Sequence, residues 1–191
     1  MMDVFAAARA LNRKAIEQRW YSLCDPTLSF SNSSYDGFLN IWRAKAASRA
    51  MPKRSDMTPR DLKEFLRNIG LFERIGQNPS SYLIRLVGTG LTQVTGHVTG
   101  KTFHESVPAD FLPRYIESCD LVLNGGKPLR FLGRVHLNGR EYLDAEHLYV
   151  PLTSDTDRPV YVMGLFRYTP RNSNPEESWA NQIASIPVDV L

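Results

Sequence analysis

The sequence predicts an α+β fold: a five-stranded antiparallel sheet, helices on one face, and an N-terminal helical extension. Three observations carry this. Residues 82–87 read as a strand that stops at Gly88 and gives way to short helical turns. Residues 129–168 hold three long apolar runs broken by Asn138-Gly139 and by a polar loop, the pattern of an antiparallel meander. Upstream, apolar residues recur at helical spacing before any strand begins.

In order, residues 3–23 form a helix with Val4, Ala8, Leu11, Ala15 and Ile16 on one stripe, stopped by Asp25-Pro26. Residues 29–34 are a polar linker, and residues 35–50 a second helix carrying Phe38, Ile41 and Trp42. Thr58-Pro59 has the chemistry of a helix start, so a third helix is expected to run to about Asn68. Strands over 69–75 and 82–87 flank Gln77-Asn78-Pro79-Ser80 as a hairpin. Helical turns follow at 89–95 and 102–106. A longer helix runs from Pro108 to about Leu123, with Phe111, Tyr115, Ile116 and Cys119 inward and Asn124-Gly125-Gly126 as its cap. Strands at 129–137, 141–152 and 160–168 complete the sheet, and Trp179, Ile183 and Ile186 are docking points on a polar tail. The chain divides into residues 1–34 (helix and linker), 35–170 (the domain) and 171–191 (tail).

The 191 residues suffice for one domain with extensions. The net charge of +3 is too mild, and its Lys and Arg too dispersed, to indicate nucleic-acid binding. No apolar run has bilayer length, and Asp3 with the early arginines does not suit a secretory leader. Cys24 and Cys119 make no disulfide framework, and a reducing cytoplasm is the simplest home. Each is expected to be a small buried thiol.

Trp42, M-P-K-R-S-D-M-T-P, Y-L-I-R-L-V-G-T, G-H-V-T-G-K, N-G-G-K-P and E-H-L-Y-V-P-L, taken in this order, resemble the PAS domain. They resemble in particular a compact PAS family common in alphaproteobacteria, in which single-domain members are frequent. The resemblance covers residues 38–170. It implies a cavity between sheet and helices that takes a small molecule, and a sheet face and flanking helices that take proteins.

Gly96 to Thr102 approaches a phosphate-binding loop, but Thr95 occupies the first glycine position and no strand precedes it; two glycine-requiring turns are expected instead. Thr89 reads as a cap for the short helix behind it. Arg85 stands in an apolar strand, where it pairs with Asp144 or Glu146, contacts a carboxylate ligand, or faces solvent. Glu141, Asp144 and Glu146 are expected to pair with Arg130, Arg134 or Arg167. The four histidines have no metal-type spacing, no histidine on helix 109–123 offers axial haem ligation, and no flavin photosensor motif is present.

The sequence therefore predicts a non-enzymatic PAS-type sensory or regulatory module of bacterial signalling, with no catalytic residues, no metal and no cofactor named. Its expected partners are a small-molecule ligand, a signalling protein and a second copy of itself, without membrane insertion. The expected cavity lining is Leu91, Val94, Phe103, Phe111, Tyr115 and Met163, with Arg85 as polar anchor. Two alternatives remain: a protein–protein adaptor with a solid core, and a cone-like isomerase or hydratase. The latter's nearest acid–base pair, Asp144 and His147, is three residues apart in a strand and so on opposite faces.

Overall fold

A computed structural model describes residues 2–136, 139–171 and 174–191. Six strands form one sheet: β1 (Ser22–Asp25), β2 (Ile69–Gln77), β3 (Ser80–Val87), β4 (Leu129–Arg134), β5 (Leu143–Thr153) and β6 (Pro159–Pro170). They lie in the order β1-β4-β5-β6-β2-β3, every neighbouring pair antiparallel. The expected antiparallel sheet is present, with one strand more than expected. β1 occupies what reads as the end of the first helix, because α1 (Val4–Glu17) stops early and Arg19 and Tyr21 take positive φ. Those conformations end the helix, and residues 22–25 pair with residues 130–133. Asn138 of the expected hairpin turn lies outside the described residues.

The side-chain alternation of β5 sorts the layers. Leu148, Val150 and Leu152 point to an outer core under α2 (Ser34–Ala46), which contributes Tyr35, Phe38, Leu39 and Trp42. Tyr35 donates from its hydroxyl to the Glu146 carbonyl (2.7 Å), and Trp42 donates Nε1–H to the Pro151 carbonyl (2.9 Å), so both aromatics bury their polar atoms satisfied. The third helix expected at 58–68 is instead a run of turns ending in a 3-10 turn (Leu66–Asn68). The Thr58 hydroxyl still accepts from the Asp61 amide, but the segment does not propagate.

The other face carries α3 (Thr92–Thr95), α4 (Phe103–Ser106) and α5 (Leu112–Gly125), the elements expected to roof the sheet. Gly88 is where β3 turns into that roof. A Cβ there would meet the Leu66 carbonyl oxygen at 2.3 Å, so the crossing requires glycine. Gly96 and Gly100 take φ of 73° and 87°, as the two glycine turns demand. Thr89 does not cap α3; its carbonyl accepts from the Thr92 hydroxyl.

α1 packs against β1 and α5, and its buried Asn12 accepts from the Cys24 amide (2.7 Å) while donating to the carbonyls of Cys24 and Val190. The expected polar tail holds a helix, α6 (Pro175–Ala184), whose Ser178 hydroxyl donates to Asp144. No described helix is long and apolar enough to cross a membrane.

Candidate ligand cavity

Between the sheet and α3–α5 lies a cavity of about 60 Å3. β5 supplies Ala145 and His147, β6 Phe166 and Tyr168, β2 Phe72, and β3 Ile84 and Val87. The roof supplies Leu91, Val94, Phe103, Ser106, Arg114 and Tyr115. These positions follow from the pleat: Ala145 and His147 are two apart in β5, as are Phe166 and Tyr168 in β6, so each pair shares the inner face. Aromatic rings build the floor, with Phe72 edge-on to Phe103, Tyr149 and Phe166.

Of the expected lining, the structure brings Leu91, Val94, Phe103 and Tyr115 to this cavity and leaves three residues outside it. Met163 pairs with Val150 and Leu71 and sits with them in the outer core, because its place in β6 is odd where the inner residues are even. Phe111, just before α5, stacks on His136 at 4.6 Å instead. Arg85 forms an ion pair with Glu73 on the neighbouring strand β2 and is half-exposed, so it anchors nothing inside. The partner is Glu73 rather than Asp144 or Glu146 because β3 pairs with β2 at the far edge of the sheet.

Glu146 finds Arg130, one of its expected partners, whereas Asp144 pairs with Arg171, which is not among them. Arg130 donates Nε–H to Glu146 (2.6 Å) and Nη1–H to Asp25 (2.9 Å), and Arg171 donates to Asp144 (3.0 Å). Asp144 and His147 face opposite sides of β5, so the one acid–base pair considered for catalysis does not converge. Among the described residues no group of His, Cys, Asp and Glu is placed to hold a metal ion. Cys24 and Cys119 are buried free thiols, and burial pushes both well above the ordinary thiol range.

The polar groups of the cavity are cationic or neutral. Arg114 is 6% exposed, and its Nη1 donates to the Trp20 carbonyl at 2.9 Å. His147 is held neutral: burial, with the Arg114 charge second, pushes it down to about 3. His136, stacked between Tyr21 and Phe111, is lowered to about 4 by burial and by Arg114 and Arg134. Burial likewise lowers Arg134, whose guanidinium lies 4.5 Å from the Tyr21 ring. Sequence reading gives Arg114 no role in the site. The signal was a second stripe, Arg114, Ser118 and Leu121, buried at helical spacing.

The structure resembles solved domains at low identity. The PAS-B domain of Drosophila melanogaster Cycle, carrying a tryptophan-to-alanine substitution and bound glycerol, is 13% identical over 53% of this chain and 98% of its own, with a TM-score of 0.40. The light-state LOV domain of the blue-light photoreceptor Aureochrome1 is 13% identical over 67% and 98%, with a TM-score of 0.38. An RNA-binding light-oxygen-voltage receptor is 13% identical over 86% of this chain and 42% of its own, with a TM-score of 0.47. No curated protein matches the sequence. The model of a PAS domain matches residues 30–167, which hold α2, β2–β5 and the whole roof of the cavity, and the chain accordingly belongs to the PAS domain family.

Proposed function

We propose that this protein is a non-enzymatic sensory module that binds a small molecule on the inner face of its sheet and passes the occupancy on by contact with another protein. The observation that carries the reading is the cavity: apolar walls from seven elements, with a few polar side chains converging on it, in the layer between sheet and roof. Occupancy would act by shifting the populations of roof conformations, since α3 and α4 are four-residue helices with little stability of their own. Arg114 also joins the cavity to the segment after α1, through its bond to Trp20. Phe5 and Ile16 are exposed apolar residues of α1, which supports association of two copies through that helix. Two buried free thiols suit a reducing cytoplasm.

The small volume favours a second reading, the adaptor. About 60 Å3 is well below the roughly 300 Å3 of an ordinary ligand pocket. A thermal-shift screen of metabolites against the purified chain separates the two. Stabilisation by a compound that Ala145→Leu abolishes supports the sensor; no stabilisation by any compound, with the cavity filled by side chains in a crystal structure, leaves the adaptor.

A further inference from the structure

Eight buried side-chain polar atoms lack a hydrogen-bond partner among the described residues, and four of them belong to residues lining this one cavity. They are Ser106 Oγ, His147 Nδ1, and Nε and Nη2 of Arg134. Native folds leave few such atoms, and a cluster of them marks a partner yet to be supplied.

The charge balance of the cavity says what kind. Arg114 and Arg134 both line it, each 6% exposed. Among the described residues Arg114 has no ion pair, and the nearest carboxylate to Arg134 is Glu176, 4.0 Å away and itself mostly in solvent. Elsewhere this protein does not leave a buried guanidinium alone: Arg130, 5% exposed, holds two carboxylates. Among the described residues Arg114 is thus buried without a carboxylate and Arg134 with only the solvated one of Glu176, so positive charge prevails at the cavity and an anion is the favoured occupant. Burial lowers His147 and His136 first, and the Arg114 charge adds to it at both. The opposite wall, Phe72, Ile84, Leu91 and Val94, is apolar. The small volume, about 60 Å3, admits only a short molecule.

Resting on the sensor reading above, we infer that the inner-face cavity takes a short-chain carboxylate, its hydrocarbon end against Phe72, Ile84, Leu91 and Val94 and its carboxylate directed to Arg114. The planar guanidinium suits a carboxylate, and Ser106 and His147 are further donors beside it. A phosphate would bring more charge and no hydrocarbon to meet the apolar wall.

The test titrates the purified full chain with propionate, butyrate and pyruvate, and with propionamide and 1-propanol as uncharged matches, by calorimetry. The carboxylates are expected to bind about tenfold or more tightly than the uncharged compounds, the ratio a charge-assisted hydrogen bond supplies. Arg114→Met is expected to remove that preference. A wild-type NMR titration at neutral pH, where propionate is an anion, does not depend on a variant folding: propionate should shift the His147 ring and Arg114 guanidinium signals, and 1-propanol should not. Equal binding of propionate and propanol, or His147 and Arg114 signals that propionate leaves in place at neutral pH, overturns the carboxylate inference and leaves the sensor reading standing. Binding of no compound in either set likewise overturns the carboxylate inference, and the sensor reading falls with it only when the metabolite screen also finds no stabilisation.

Discussion

On the outer side of the sheet Arg130 is buried between Asp25 and Glu146, and Glu146 also accepts from the backbone and hydroxyl of Ser31. On the inner side Arg114 is equally buried, donates to the Trp20 carbonyl and lies over the Tyr115 ring, with no carboxylate beside it among the described residues. The same residue type, at the same depth, is neutralised in one layer and left cationic in the other. The outer layer, closed by α2 with its aromatic hydroxyl and indole both bonded, is finished as a structural core. The inner layer has a gap, orphaned donors and a roof of short helices. Stability is invested where nothing needs to move, and incompleteness is concentrated where a ligand would complete it.

The largest test of this contrast replaces each guanidinium with a flexible apolar chain. Arg130→Met leaves two carboxylates buried without a counter-charge and is expected to cost about 3–5 kcal/mol in urea unfolding. Arg114→Met strands no carboxylate and removes a buried cation that has none, so it is expected to cost less than about 1.5 kcal/mol, the net value of the one hydrogen bond lost, or to stabilise the fold. Equal costs would erase the distinction between the layers.

Acid is the next probe. In the unfolded chain His147 takes up a proton near 6.5, whereas in the fold it does so only near 3. Between those values the unfolded state holds more protons, so stability falls as pH is lowered through this window, on the order of 1.4 kcal/mol per pH unit for this one group. The stabilising contribution of the neutral imidazole is complete above 6.5 and lost on approach to 3. His147→Gln is expected to flatten that limb of a stability-against-pH curve measured by denaturant titration; an unchanged slope would show that the inner layer does not hold the imidazole neutral.

Smaller effects discriminate packing. Ala145→Val adds carbon to the cavity side of β5 and is expected to shift stability by less than about 1 kcal/mol, whereas Val150→Leu, in the closed outer core, should cost about 1–3 kcal/mol. Thermal unfolding of the pair compares them directly. Least of all, Arg85→Ala removes a half-exposed ion pair with Glu73 and is expected to cost below about 1 kcal/mol in the same assay.

Much of the fold was legible. The break at Gly88, the paired glycine turns and the three long strands announced a sheet roofed by its own insertion, and each depends on local chemistry that a sequence displays. β1 was not legible, because four residues following an amphipathic helix become a strand only through pairing with β4, more than a hundred positions away. The site was half legible. Leu91, Val94, Phe103 and Tyr115 belong to the roof, whose helices could be placed from turns and caps. Met163 went astray by one step in strand parity, which no composition reveals. Arg114 was passed over because charge is ordinarily a mark of solvent, and only the surroundings of α5 show that this one is enclosed.

The strand that sequence reading missed also sets a practical limit. β1 lies before residue 30, outside the stretch matched by the PAS domain model, yet it supplies Asp25 to Arg130 and sheathes residues 130–133 of β4. A fragment cut to the homologous range would expose β4 as a raw margin of unsatisfied amides, an invitation to strand-on-strand aggregation. Here the boundary of ancestry and the boundary of the cooperative folding unit do not coincide, and it is the second that an expressed fragment has to respect.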